Sequence, residues 1–282
     1  KGCADFNLEP KYWEGTNLEE WERNTRTAAQ EGYAMIIGVG STMIDAIRHV
    51  APEFPKTHFA LVDDYPGGPN TAGIIAQEQE GTFLAGALMA MMTVDTKLPG
   101  MNPKKVVGFI GGMDIPVIHR FLGGVVQGAA YIDPEVKVQI AYVGSFNDSP
   151  KAKELALSMF KSQDIDIIYS VAGSFGDSGV FEAVKATGLY AVGTDVDYDN
   201  TVPGHILTSV LKKTDLMVYD MMKREIEGRF TPGEHYYGVG GGFIDITDMT
   251  VMGDKIPKTV RDKLAQIKKD ILDGKIKVER WK

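Results

Sequence analysis

The chain has 282 residues with a formal net charge of −8 at pH 7, and 44% of its side chains are hydrophobic and 24% charged. This is ordinary globular composition with room for one large domain or two modest ones. No stretch of about 18 consecutive apolar residues reads as a membrane-spanning helix, no basic stripe interleaved with aromatics suggests nucleic acid as a partner, and the single cysteine, Cys3, excludes an intrachain disulfide or a multi-cysteine metal site.

The opening residues read as the end of a helix followed by a strand over 8–13. An α/β domain usually opens on a strand, so the expectation is that the natural N-terminus, with any leader and a first strand, lies outside this chain. Lys1-Gly2-Cys3 is faintly like a lipoprotein processing site, but a helix cysteine is the preferred reading. Further on, strands are predicted over Met35–Val39, His58–Val62, 106–110, 137–143, 165–172, 190–193 and 206–210, each rich in Val, Ile, Tyr or Phe and bounded by Gly, Pro or Asp. Helices are predicted over 19–30, Ile44–Val50, 79–92, 118–131, 150–162, 179–186 and 215–227. A last helix carries Val260, Leu264, Ile267 and Ile271 on one stripe, with Gly274 where a C-terminal cap belongs. Such alternation implies parallel sheet with helices on both faces.

A degenerate repeat runs through this pattern. Residues 28–47 give a helix end, the strand Met35-Ile36-Ile37, a glycine-rich loop and a helix with Asp45-Ala46-Ile47. Residues 159–184 give a helix end, a strand from Ile165, a loop over 172–178 and a helix with Glu182-Ala183-Val184. Each unit is followed by a strand ending in acid, at Asp63-Asp64 and at Asp195. Two lobes of like topology account for this, and chance likeness among βαβ units is the alternative. In open α/β sheets the ligand site lies at the carboxyl ends of the strands, so the loops there are the candidate lining.

Asp195-Val196-Asp197-Tyr198-Asp199 begins like a calcium loop, but positions 6 and 12 hold Asn200 and Ile206 instead of Gly and Glu, so calcium is rejected. Asp195 reads as a bidentate acceptor for a vicinal diol, or as a turn aspartate. Phe146, in a Gly/Asn/Asp loop after a strand, reads as a stacking face or as a cap on the core. Lys212 and Lys213 read as a donor balancing Asp195 or as a solvated helix start. Gly111-Gly112-Met113 and the glycines of 238–242 match neither a dinucleotide nor a phosphate loop and read as tight turns. The five histidines show no metal-ligand spacing, and no serine sits in a nucleophile elbow. No metal and no cofactor are expected.

Several stretches together resemble the basic membrane protein family, the PnrA-like purine-nucleoside-binding lipoproteins of ABC transporters. They are Gln30-Glu31-Gly32-Tyr33 with Ile36-Ile37-Gly38-Val39-Gly40, Glu78-Gln79-Glu80-Gly81-Thr82-Phe83-Leu84-Ala85-Gly86, Gly111-Gly112-Met113-Asp114-Ile115-Pro116-Val117-Ile118, Tyr142-Val143-Gly144-Ser145-Phe146-Asn147-Asp148 with Lys153-Glu154-Leu155-Ala156, and Leu207-Thr208-Ser209-Val210-Leu211-Lys212. The resemblance implies a type I periplasmic-binding-protein fold: two doubly wound parallel-sheet lobes joined by a hinge, lobe 1 from 1–108 plus 206–236 and lobe 2 from 109–205 plus 237–282. It makes Phe146 similar to the family's base-stacking aromatic, Asp195 to its ribose-binding acid and Lys212 to its ribose-side lysine. Gly173 falls where loop backbone approaches the ligand, and Asp45 is a candidate polar contact to the base. The family's first strand is followed by an Asp-x-Ser-Phe-Asn segment with another stacking Phe, and nothing in residues 1–15 matches it.

The implied function is an extracytoplasmic solute-binding protein that takes adenosine, guanosine or inosine in an inter-lobe cleft. It would work as a monomer with an ABC transporter permease, at the periplasmic or extracellular face of the membrane through a lipid anchor outside this chain, and would do no chemistry. A ligand-sensing regulator and a nucleoside-processing enzyme on the same fold are the alternatives.

Overall fold

The computed structural model describes residues 2–95 and 97–281. In chain order the elements are α1 (Gly2–Asp5), α2 (Leu18–Gln30), β1 (Met35–Val39), α3 (Ile44–Val50), β2 (His58–Val62), β3 (Thr71–Ala76), α4 (Glu78–Met92), β4 (Val106–Gly111), α5 (Pro116–Ile132) and β5 (Lys137–Tyr142). They continue with α6 (Ser149–Ser162), β6 (Ile167–Val171), α7 (Gly173–Thr187), β7 (Tyr190–Asp195), β8 (Ile206–Lys212), α8 (Thr214–Ile226), β9 (Gly233–Tyr237), β10 (Ile244–Ile246) and α9 (Lys258–Leu272). None of the described helices is long and apolar enough to cross a membrane.

The chain forms two compact units. One takes the described residues up to Ala76 together with Lys213–Tyr237, and the other takes Gln77–Lys212 and the stretch from Gly238 onward. The lobes expected from sequence break at 108/109, 205/206 and 236/237 instead. Helix packing draws the boundary: a Cβ on Gly128 of α5 would lie 2.0 Å from the carbonyl oxygen of Phe83, and one on Gly86 of α4 would lie 2.2 Å from that of Val125. Only glycine allows this backbone-on-backbone approach, and it fastens α4 to α5.

The first unit holds a four-stranded parallel sheet in the order β1-β2-β3-β9. Its apolar core joins Ala29, Ile47 and Val50 of α2 and α3 to Phe59 and Leu61 of β2. α2 starts where Asn17 accepts from the Glu20 amide while Glu20 reaches back to the Thr16 amide and hydroxyl, a reciprocal cap that satisfies orphan donors. The returning segment is pinned to β2 through His58, which pairs with Glu225 at 2.7 Å and stacks on Phe230.

The second unit holds a six-stranded sheet in the order β10-β8-β7-β6-β4-β5, parallel except for β10 against β8. Side chains alternate faces along a strand, and here both faces are apolar. Phe109, Ile167, Tyr169, Tyr190, Val192 and Leu207 join the core under α4, α5 and α9, while Ile110, Ile168, Ala191 and Ile206 join the core under α6 and α7. Burial on both faces is what a parallel sheet requires.

Three expectations need correction. Residues 8–13 form no strand: Pro10 lacks a donor, the segment pairs with no described strand, and only Trp13 is half-buried, edge-on to Tyr33. The loop expected over 172–178 is the first turn of α7, because Asp177 turns inward and accepts from the Ala172 amide at 2.8 Å. Strands β3, β9 and β10 are absent from the sequence reading: β3 is interrupted by Gly73, β9 is largely polar, and β10 has three residues. Gly274 has φ +71° beyond the end of α9, the left-handed cap its position predicts.

Candidate functional site

In the six-stranded sheet β4 is first in sequence, β5 lies on one side of it, and β6, β7 and β8 follow in order on the other. The connections therefore leave β4 and β6 in opposite directions, and a crevice opens outside the carboxyl ends of those two strands, the general ligand position of open α/β sheets. The side chains singled out from sequence stand along this edge: Phe146 after β5, Gly112 after β4, Gly173 after β6, Asp195 ending β7 and Lys212 ending β8.

Phe146 folds back from the β5 end across both central strands. A Cβ on Gly112 would lie 2.3 Å from its ring, and one on Gly173 would lie 3.2 Å from its Cβ. Gly173 also has φ +73°, a left-handed conformation that favours glycine. The turn is tied by the Gly112 amide donating to Val171 and the Gly144 amide donating to Gly112. Phe146 is half-buried and packs against the apolar core beneath α4 and α5. One part of the residue is thus anchored in that core, and another part is open at the switch point.

β7 and β8 each run two residues further than expected, to Asp195 and Lys212. Asp195 pairs in register with Leu211, so the acid and the lysine end adjacent parallel strands. The three acids of 195–199 separate by burial. Asp199 is buried and accepts from the Ser209 hydroxyl at 2.7 Å, and Asp197 caps its own turn through the Asp199 amide. Asp195 is exposed, at φ +71°. Asp63, directly after β2 in the other unit, has φ +80°, so the two halves of the repeat share a left-handed aspartate at this strand end.

Beneath the edge lies a buried polar layer. Asp177 accepts from the Ser170 hydroxyl and the Ala172 amide. Burial pushes its carboxyl up to about 7, with the charge of Asp195 acting in the same direction and the two hydrogen bonds opposing. The fully buried Tyr169 hydroxyl is held well above its ordinary value by desolvation, and Asp195, Asp177 and Glu78 all add to that shift. These three carboxylates therefore act on one buried hydroxyl.

Lys212 does not point freely into solvent. Its Nζ is 3.3 Å from Oε1 of the fully buried Glu78, and Arg120 donates from Nε to Glu78 Oε2 at 3.0 Å. Sequence reasoning missed Glu78 and Arg120 as site residues. Arg120 is the one Asp, Glu, Lys or Arg in the sequence of α5, and a charge isolated in an apolar helix needs a partner; that signal was available. Asp45 lies in the other unit, exposed in the first turn of α3 and ion-paired with Arg48 at 2.7 Å. Among the described residues no cluster of three or more His, Cys, Asp or Glu could hold a metal ion.

Two units, each a sheet of mainly parallel strands covered by helices, are the architecture of the type I periplasmic solute-binding class. A solute-binding protein of an ABC transporter from Aeropyrum pernix K1 has the same fold, with a TM-score of 0.84 and 25% identity over 99% of this chain and 86% of that one. A protein from Bacillus halodurans described as a transcriptional activator of the comK gene shares the fold alone, with a TM-score of 0.82 at 22% identity over 98% of this chain and 91% of that one.

The chain belongs to the Bmp family of PnrA-like ABC transporter substrate-binding proteins, whose family model matches residues 3–279. The ABC transporter nucleoside-binding protein BmpA of Lactococcus lactis is 31% identical over 95% of this chain and 77% of its own length. This chain is accordingly the substrate-binding component of an ABC transporter, a role that pairs it with a permease on the extracytoplasmic side.

Proposed function

We propose that the solute is a purine nucleoside, bound with Phe146 stacked on the base and Asp195 accepting from the ribose diol. Lys212 donates on the ribose side, and the Gly173 backbone closes against the ligand. The observation that carries this reading is that Phe146 is seated over Gly112 and Gly173 while Asp195 stands exposed one strand further on. Neighbouring strands are about 4.8 Å apart, the scale on which base and ribose are separated in one nucleoside. A flat apolar face beside a carboxylate suits a molecule with a ring at one end and vicinal hydroxyls at the other. The name of the Lactococcus lactis relative, a nucleoside-binding protein, supports a nucleoside as the ligand. Asp45 enters only through the family resemblance, as a polar contact to the base. The protein works as a lipid-anchored monomer and releases its ligand unchanged.

Calorimetry with inosine, adenosine, guanosine and the free bases tests this. Nucleosides should bind, and Asp195→Ala should abolish that binding while leaving weak binding of the free base as it was. Equal nucleoside affinity in the variant would remove the diol contact. Appearance of free hypoxanthine on incubation with inosine would mark an enzyme instead.

A further inference from the structure

Stacking and diol recognition make no direct use of Glu78 and Arg120, which lie buried with Lys212 under the end of β8. Glu78 is fully buried, and the side chains of Arg120 and Lys212 are 6% and 8% exposed. Arg120 holds both carboxylate oxygens, with Nε 3.0 Å from Oε2 and Nη2 3.5 Å from Oε1. Lys212 Nζ lies 3.3 Å from that same Oε1 and 5.8 Å from the centre of the Phe121 ring. Glu78 is also the first residue of α4, where the helix dipole favours a negative charge. Arg120 cannot drift from it, because the glycines of α5 seat that helix directly on the α4 backbone.

A lysine ammonium buried this far is driven to lose its proton or swing to water unless an anion faces it. Its four-carbon stem has many rotamers, so a lysine that must donate to a ligand from one place needs a fixed counter-charge. We propose that Glu78, clamped by Arg120, is the positioning residue for Lys212: it keeps the ammonium charged and in one rotamer at the carboxyl end of β8. A donor ordered in advance loses less entropy when the ligand arrives. The effect on affinity rests on Lys212 being a ligand contact as proposed above; the positioning itself does not.

The test uses protein labelled with 15N-lysine, with the Lys212 Nζ resonance assigned by its disappearance in Lys212→Arg. In the unliganded wild type this resonance should be resolved and slow to exchange with water. In Glu78→Gln it should collapse into the averaged signal of the surface lysines. Inosine affinity in that variant should fall about 10- to 100-fold, the range for losing a hydrogen bond to a charged group. Adding Lys212→Met to Glu78→Gln should cost nothing further, since both changes remove one interaction. An unchanged Nζ resonance in Glu78→Gln, or additive losses in the double variant, overturns the proposal. Should Glu78→Gln not fold, Glu78→Asp keeps the charge and withdraws it by one methylene. The resonance must then shift and affinity fall; no shift overturns the proposal equally. If wild-type protein binds no nucleoside, the nucleoside reading fails, and the Nζ comparison still decides the positioning.

Discussion

Phe146 occupies the space that a side chain at Gly112 would need: a Cβ there would lie 2.3 Å from its ring. The aromatic is held in place by the absence of an atom on the neighbouring strand end. Gly112→Ala should therefore displace the ring and weaken nucleoside binding, with a smaller effect on the melting temperature because Phe146 is only half-buried. Phe146→Ala should cost about 1–3 kcal/mol of binding, the usual value of one base-aromatic stack. Calorimetry and thermal melts on the two variants check this. Full affinity in Phe146→Ala would remove the stacking role.

The buried charge group makes a stability prediction independent of any ligand. Glu78→Ala leaves Arg120 and Lys212 buried without their shared carboxylate, and breaking such a group costs about 3–5 kcal/mol. Urea titration should show this loss, and Glu78→Gln should lose less because it keeps the shape and one acceptor. A loss under about 1 kcal/mol would mean that water reaches the group, as in exposed pairs.

Asp177 predicts how stability depends on pH. Its carboxyl is raised to about 7 by burial, so between the ordinary carboxylate range and pH 7 the folded state holds a proton that the unfolded chain has released. Stability from this group is fully present below about pH 4, where both states are protonated, and is lost as pH rises through about 7. Asp166, raised to about 6 by burial, acts in the same direction over a narrower window. Chemical unfolding at pH 5 and pH 8 should find the wild type less stable at pH 8 by a margin that shrinks in Asp177→Asn. An identical margin in both proteins would exclude Asp177 as the source.

The contact between α4 and α5 leaves no room for a side chain at Gly128, where a Cβ would lie 2.0 Å from the Phe83 carbonyl oxygen. Gly128→Ala must push the helices apart, and overpacking of this kind costs about 1–3 kcal/mol or more. By contrast, Gly32, at φ +84° with open space around it, should lose only about 1 kcal/mol on change to Ala, from the left-handed backbone alone. Paired urea titrations compare the two. Equal losses would show that α4 and α5 can separate freely.

Much of the carboxyl edge that forms the candidate site was legible along the chain because its residues are placed by local pattern. Short Val/Ile runs mark the strands, and the residue that follows each run stands at a strand end whatever the topology. Phe146, Asp195 and Lys212 were read in this way, and Gly173 through the family resemblance. The choice among the acids of 195–199 was not legible in the same sense: Asp199 is taken out of solvent by Ser209 of β8, and only the β7–β8 pairing brings the two together.

The sequence by itself determined the alternation of strands and helices, the two-faced apolar pattern of the buried strands, the acid-ended repeat and the family. The alternation and the apolar pattern follow from spacing within a few residues, which sets backbone geometry and the facing of side chains; the repeat and the family rest on stretches compared along the whole chain. Tertiary structure alone decided that 8–13 pairs with no described strand, that α4 joins the larger unit, and that Lys212 faces the carboxylate of Glu78, gripped by an arginine 42 residues beyond that glutamate. The physical reason is that burial is a property of neighbours: a charge costs little or much according to what displaces its water, and those groups arrive from distant parts of the chain.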